Sequence, residues 1–346
     1  MSQTLLEDTK HIVSDKNIPW EKMRDSRILV TGATGNIGSA IVRALRRADF
    51  DLNLNIKVLA LGRDLTRAKK IIDETGIEFI YTDICEPISV QGRLDYIFHC
   101  AAITDSSEML SNPVGVIETS ISGTRNILNL AKNKKVKGVV YLSSMEVYGI
   151  TDPRLNYVME DNLGYIDLKK PRSCYPESKR MCENLCNCYF SQYDIQVKIA
   201  RLAQTFGAGC RKDDPRVFAQ FARNAVGMQN IVLHTEGKSQ GNYCYTADAV
   251  RALILLLLKG ECGDSYNIAN PSASVTIREM AEIVAQKVCE GKISVVINVP
   301  HDIERRGYAP DVKMKLSADK IQRLGWEPKY DLTEMYKRMI ADWRDQ

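Results

Sequence analysis

The sequence contains no long hydrophobic run. Its longest uninterrupted apolar stretch, Ala252 to Leu258, falls far short of the roughly 20 residues that span a bilayer, so no membrane partner is expected. The opening residues, MSQTLLEDTKHIV, have no apolar signal core. Charge of one sign is scarce too: the net charge is +4 over 346 residues. That balance speaks against nucleic acid as the main partner and suits an anionic small molecule. Internal repeats and low-complexity segments are absent as well. What remains is one large two-lobed globular domain or two ordinary ones.

Cysteine, by contrast, is plentiful. Ten cysteines are scattered through regular segments, which reads as reduced thiols in a cytoplasmic protein. Cys182, Cys186 and Cys188 are spaced CxxxCxC. On a helix the first two share a face and the third points elsewhere, with no fourth ligand near in sequence. Buried packing is therefore expected, with no metal. The basic run KNKKVKG (132–138) reads as a solvated helix end.

Apolar strands alternate with amphipathic helices through the first half. Strands are expected at Arg27–Thr31, Lys57–Leu61, GIEFIYTD, DYIFHCA, GVVYLSS and Val197–Leu202. Helices are expected at Ile37–Ala48, Thr66–Glu74, Pro113–Asn133 and Pro176–Tyr193. The pattern predicts an α/β fold, a Rossmann doubly wound parallel sheet covered on both faces. Residues 1–25 form an N-terminal extension with a short helix packed through Trp20. The dinucleotide-binding part covers 26–203, with 241–268 returning to it. A smaller, partly discontinuous C-terminal substrate lobe covers 204–240 and 269–346. Helices are expected there at Val217–Val226, Ile277–Cys289 and Asp331–Trp343, a strand at Gln229–His234, and a helix at Asp248–Lys259 that packs back on the first lobe.

The stretch VTGATGNIG (30–38) follows the first strand and opens the first helix. Gly32, Gly35 and Gly38 suit a tight turn, close approach to a pyrophosphate, and close helix–sheet packing. The helix N-terminus offers free N–H groups to phosphate. After the second strand, Arg63 stands where an NAD site usually carries an acid. An arginine there pairs with a 2′-phosphate and points to NADP, while the adjacent Asp64 keeps NAD open.

In PRSCYPESKR (171–180), Tyr175 and Lys179 lie four apart, on one helical face, and Pro176 suits a first turn. A phenol of ordinary pKa near 10 is a poor base. A neighbouring ammonium and a positively charged nicotinamide would favour tyrosinate; a lowering to near neutrality takes about 4 kcal/mol. Tyr175 would then exchange a proton with a sugar hydroxyl as hydride leaves the same carbon. Ser144, at the end of the strand in LSSMEVYG (142–149), faces the same crevice, and Glu146 is a candidate second acid or base.

TGATGNIG, HCAA, LSSMEVYG and the Tyr175/Lys179 pair resemble the extended short-chain dehydrogenases/reductases. So do IARLAQTFGAG (199–209), YCYTADAV (243–250), YNIAN (266–270) and LGWEPKYDL (324–332). The resemblance spans about residues 26–340. RSCYPESKR and DDPRVFAQF are most similar to the UDP-glucuronate decarboxylase branch. It implies that Asn36 and Ile37 join the three glycines at the pyrophosphate. Asp83 and Ile84 would flank the adenine, and Ala101, Ala102 and Thr119 would line the cofactor. Ser144, Tyr175 and Lys179 would form a catalytic triad, with Lys179 also on the nicotinamide ribose. Thr104, Gln204, Arg216, Arg305 and Arg306 would face the substrate. A homodimer through the helices around 113–133 and 176–193 is implied too.

The departures narrow the chemistry. Dehydratases of this family carry Asp-Glu after the catalytic hydroxyl residue; Met145 here cannot donate a proton, which disfavours 4,6-dehydration. Ser120 replaces the usual asparagine. The arginine expected before the YCY stretch is Gly241 or Asn242; Arg216, Arg305 and Arg306 could supply charge instead, and otherwise the donor group is unusual. The expected activity is an epimerase-, decarboxylase- or dehydratase-type enzyme on a nucleotide-activated sugar, using transient hydride abstraction. A net NADPH reductase of a keto-sugar or polyol nucleotide, and a non-enzymatic NAD(P) sensor, are the alternatives.

Overall fold

The computed structural model describes residues 1–64, 66, 68, 76–299 and 313–345. The chain begins with helix α1 (Gln3–Val13), capped by the Ser2 hydroxyl, and a short turn at Trp20–Met23. Strand β1 (Arg27–Thr31) leads into α2 (Asn36–Leu52), then β2 (Lys57–Gly62), β3 (Ile77–Tyr81) and β4 (Tyr96–His99). Helices α3 (Ser106–Ser111) and α4 (Pro113–Lys134) precede β5 (Gly138–Ser144). Then come α5 (Cys174–Tyr193), β6 (Val197–Leu202), β7 (Gln204–Phe206), α6 (Val217–Val226), β8 (Ile231–Leu233) and β9 (Gln240–Tyr245). Helix α7 (Thr246–Lys259), β10 (Ser265–Ile268), β11 (Ser274–Thr276), α8 (Ile277–Ile283), β12 (Val295–Ile297) and α9 (Leu332–Arg344) complete the main elements.

Seven strands form one sheet in the order β10-β6-β5-β4-β1-β2-β3, every neighbour parallel. Alternate residues feed two apolar layers: Val30, Phe98, Val140 and Ala200 on one face, Leu29, Ile97, Val139 and Ile199 on the other. This is why the strands read as continuous apolar runs. The order reverses between β1 and β4, and there the C-terminal strand ends open a crevice. Two small sheets sit beyond it: β11-β9-β7, and the parallel pair β8–β12. No described helix is long and apolar enough to cross a membrane.

Some expectations change. The strand expected at Gln229–His234 shortens to β8. The helix expected at Ile277–Cys289 is α-helical only to Ile283 and continues as a wider π turn, Val284–Val288. Of Thr66–Glu74, only residues 66 and 68 fall among the described residues. Within 241–268, β10 joins the large sheet, whereas β9 pairs with β7 and β11 in the small one.

The N-terminal segment is wired into the body. Trp20 is buried and donates to the Val13 carbonyl at 3.1 Å. Asp8 accepts from the Tyr245 hydroxyl at 2.6 Å and from Arg338 at 2.7 Å. Buried Asp15 pairs with Arg251 at 2.5 Å, and Arg251 also holds Asp248 at 2.9 Å. Removing one member of a buried ion pair typically costs several kcal/mol. Asp15→Ala should therefore lower the unfolding free energy by about 3 kcal/mol in urea denaturation. A loss below about 1 kcal/mol would mean the segment is not docked through this pair.

Candidate active site

The glycine turn between β1 and α2 is built by close approach. Gly32 has φ +61°, and a Cβ there would sit 2.9 Å from the Ala101 backbone. A Cβ on Gly38 would meet the Gly32 carbonyl oxygen at 2.3 Å, so α2 can start this near the turn only with glycine. Gly35 precedes the helix with no side-chain cap. Among the described residues the first N–H groups of α2 therefore have no capping side chain, and Asn36, Ile37 and Gly38 line the crevice, which fits a phosphate. The Asn36 side chain donates through Nδ2 to the Thr246 hydroxyl at 3.2 Å, tying α2 to α7.

The turn opens one wall of a cleft of about 750 Å³. Gly32, Gly35, Asn36, Ile37, Gly38, Arg63, Ile84, Ala101, Ala102, Thr104, Thr119, Ser144, Glu146, Tyr175, Gln204 and Arg216 all line it, a wall shared with Met145. Asp83, between the lining residues Thr82 and Ile84, pairs with Arg63 at 3.4 Å and accepts from the Cys85 N–H at 2.9 Å. Lys179 is buried beneath the lining rather than exposed in it. Arg305 and Arg306 lie outside the described residues.

Tyr175 and Lys179 stand on successive turns of α5. The Lys179 ammonium donates to the Leu142 carbonyl at 2.7 Å and lies 4.8 Å from the Tyr141 ring centroid and 5.8 Å from that of Tyr175. Burial pulls its pKa down. The phenol behaves differently from the sequence expectation. Burial, aided by the Glu146 carboxylate, pushes Tyr175 up to about 12; a hydrogen bond with Ser144 and the Arg172 and Arg216 cations pull the other way. The ammonium is committed to a backbone carbonyl, and a dry phenol beside a carboxylate prefers to keep its proton.

Three groups escaped the sequence reading. Arg172 pairs with Glu146 at 3.0 Å and stands 6.0 Å from the Tyr175 ring centroid. Ser143, next to Ser144, donates to buried Glu183 at 2.5 Å, and Arg201 grips the same carboxylate. On the β4 side, Thr31 accepts from the Ala101 N–H at 3.1 Å and shares a hydrogen bond with His99 Nδ1 at 2.8 Å. Burial lowers His99 to about 3, which keeps it neutral. Only the arginine carried a signal, its place three residues before the tyrosine. Cys182 and Cys186 are buried in the α4–α5 contact, Cys182 donating to the Ser120 carbonyl at 3.3 Å, while Cys188 is exposed. Of Gly241 and Asn242, the two positions where an arginine was expected, Asn242 is fully buried.

A sequence model of the NAD dependent epimerase/dehydratase family matches residues 28–269. The chain is 34% identical over 323 residues to UDP-glucuronic acid decarboxylase 6 of Arabidopsis thaliana, covering 92% of this chain and 89% of that one. It is 30% identical to UDP-glucuronic acid decarboxylase 1 of Xenopus tropicalis, covering 92% and 72%. Its fold is similar to the UDP-glucose 4-epimerase of Thermotoga maritima, with TM-score 0.78, 22% identity and coverage of 92% and 98%. It is also similar to the dTDP-glucose 4,6-dehydratase of Streptomyces venezuelae solved with NAD, with TM-score 0.76, 24% identity and coverage of 92% and 97%.

A raised pKa means that Tyr175 stays protonated through the mildly alkaline range in the protein alone. In ultraviolet titration, the difference between wild type and Tyr175→Phe should show no tyrosinate up to about pH 10. A phenolate appearing below that pH would mean that Lys179 acts on the oxygen after all.

Proposed function

This chain belongs to the NAD dependent epimerase/dehydratase family, and on that premise we propose that it converts a nucleotide-activated uronic acid sugar by transient oxidation and decarboxylation. The broader activity is that of an NAD(P)-dependent nucleotide-sugar-modifying enzyme. The observation that carries the finer reading is the convergence of Tyr175, Ser144, Glu146 and Arg172 on one cleft below the uncapped helix. The identity to decarboxylases at 30–34% and the apolar Met145 on the cleft wall support it over dehydration.

The residues divide the work. The α2 N-terminus and the glycine turn bind the pyrophosphate. Ile84 and Thr119 would flank a bound cofactor, and Ala101 and Ala102 would line its site. A bound nicotinamide supplies the hydride acceptor and a positive charge that favours the phenolate. Tyr175 takes the proton of a sugar hydroxyl as hydride leaves that carbon. Ser144, on the same cleft wall, steadies the same oxygen. Taking a phenol from about 12 to neutrality requires about 7 kcal/mol. The sequence estimate of about 4 kcal/mol left out the burial of the phenol. Lys179 orients the strand end through its bond to the Leu142 carbonyl. Thr104, Gln204 and Arg216 face the sugar side.

We place the lobes at 26–203 with β10 and α7, and at 204–240 with 269–346; 1–25 is a docked extension. Exposed Val114, Ile117 and Met181 on α4 and α5 support a homodimer through those helices. Ten unpaired cysteines support a reducing, cytoplasmic setting. Arg63 supports NADP, because a 2′-phosphate offers it a stronger partner than Asp83 at 3.4 Å. The same arginine favours, as a second reading, an enzyme that consumes NADPH on a keto-sugar nucleotide.

Tyr175→Phe should cut turnover of UDP-glucuronic acid by at least about a hundredfold and spare cofactor affinity. Activity within about tenfold of wild type would overturn the proton-transfer role. Arg63→Ala should weaken NADP about tenfold and NAD by less than about twofold in fluorescence titration. Equal losses for both cofactors would remove the argument for a 2′-phosphate.

A further inference from the structure

We propose that Arg172 is the specificity-determining residue that binds a carboxylate carried by the substrate, beside the carbon that is oxidised. This rests on the uronic acid reading above and assigns its recognition to one side chain.

Among the described residues, three arginines line the cleft: Arg63, Arg172 and Arg216. They are not equally available. Arg63 stands at the end of β2, on the cofactor side, and leans on Asp83. Arg216 has given the edge of its guanidinium to Asp214, through Nε at 3.0 Å and Nη2 at 2.7 Å, and its plane covers the Phe218 ring at 4.6 Å. Arg172 is held at one corner only. Nη2 meets both carboxylate oxygens of Glu146 at 3.0 Å. Among the described residues neither Nε nor Nη1 has a hydrogen-bond partner, and a third of the side chain, 34%, is exposed. A guanidinium edge of this kind matches a carboxylate by two parallel hydrogen bonds.

The position suits the task. Arg172 lies in the short turn Pro171–Ser173 that feeds directly into α5, so its backbone is fixed relative to Tyr175. Its charge sits 6.0 Å from the ring of the proton-transferring phenol. An anion held there lies next to the reacting carbon. The electrostatics require such a cation. Glu146 already places negative charge in the cleft, and an anionic sugar would be repelled by it. A single guanidinium between the two carboxylates offsets both, while leaving Glu146 anchored.

The chemistry then releases the substrate from this contact. Once the neighbouring carbon is a ketone, the carbon–carboxylate bond breaks and its electron pair moves into the carbonyl as an enolate. Carbon dioxide leaves uncharged, so Arg172 has nothing left to grip. The enolate carbon takes up a proton, and hydride returns to the carbonyl carbon. Because the carboxylate loses its charge on the way to the transition state, Arg172 acts on substrate selection and KM more than on kcat.

The test uses full-length protein loaded with NAD or NADP and two probes, UDP-glucuronic acid and UDP-glucose. Binding is read by titration calorimetry, and hydride abstraction by absorbance at the reduced-nicotinamide band. Wild type should prefer the acid by at least about tenfold, an ordinary margin for a charge-assisted pair. Arg172→Gln should bring the two affinities within about twofold and raise KM for the acid more than it lowers kcat. Arg172→Lys, which keeps the charge without the fork, should fall between them, and serves alone if the glutamine variant does not fold. An unchanged preference in the variants, or equal affinities in wild type, overturns the assignment while turnover of either sugar leaves the broader function standing. Absence of hydride abstraction and product from both sugars in wild type overturns the functional reading and this inference with it.

Discussion

The site depends on one buried ammonium. Lys179 is 3% exposed and donates to the Leu142 carbonyl, two residues before the end of β5. A charge so far from water persists only with a partner in good geometry. Here the partner is backbone, so the bond fixes α5 against the end of the sheet. One turn before the lysine stands Tyr175; two residues beyond the carbonyl stands Ser144. Helix and strand are thus locked in the register that brings phenol and hydroxyl together. The next turn repeats the arrangement: Glu183 receives Ser143 and Arg201, which lies on the neighbouring strand β6. Two consecutive residues at the strand end are held by two consecutive turns of one helix.

This rigidity has an electrostatic consequence. Removing water from the phenol opposes its ionisation, and the ammonium beneath it is too committed to Leu142 to compensate directly. The fold keeps Tyr175 protonated at rest and leaves activation to charges that act within the cleft. Arg172 and Arg216 are two such charges, and Glu146 works against them. A base that is not active until its surroundings are complete is protected from idle proton exchange. It also explains why tyrosine rather than a carboxylate can occupy so dry a position.

Much of this was legible in the residues because local rules and global fold agree. The strands of the large sheet are buried on both faces, so apolar runs such as RILVT and GVVYLSS could hardly be anything else. The glycine turn was readable from spacing because Gly32 and Gly38 are each required by backbone contact. The Tyr175–Lys179 pair was readable as a helical face, but not the direction of its ammonium, since the acceptor is a carbonyl on another element. Arg172 was hidden for a similar reason: its meaning comes from Glu146, 26 residues earlier in the chain. The π turn after α8 left no mark because it differs from an α-helix by a single hydrogen-bond shift.

Of the two positions where an arginine was expected, Gly241 and Asn242, the second carries a structural task. Asn242 is fully buried; its Oδ1 accepts from the Leu316 N–H at 2.8 Å and its Nδ2 donates to the Asn270 carbonyl at 2.7 Å. A long cation there would leave two backbone groups unmatched, each worth on the order of 1–3 kcal/mol. The amide latches residues 314–317 to β9, and Ser317 in turn donates to the Val158 carbonyl at 3.0 Å. Asn267 bonds the same carbonyl and the Glu160 carboxylate, and Arg201 donates to the Glu160 backbone while holding Glu183. The chain of bonds therefore runs from the substrate lobe to Ser143, one residue from the proton-transfer site. A position that offers no charge to a ligand instead carries the mechanical continuity between the two sheets. Recognition of negative charge must then come from the walls of the cleft, where Arg172 keeps an open edge.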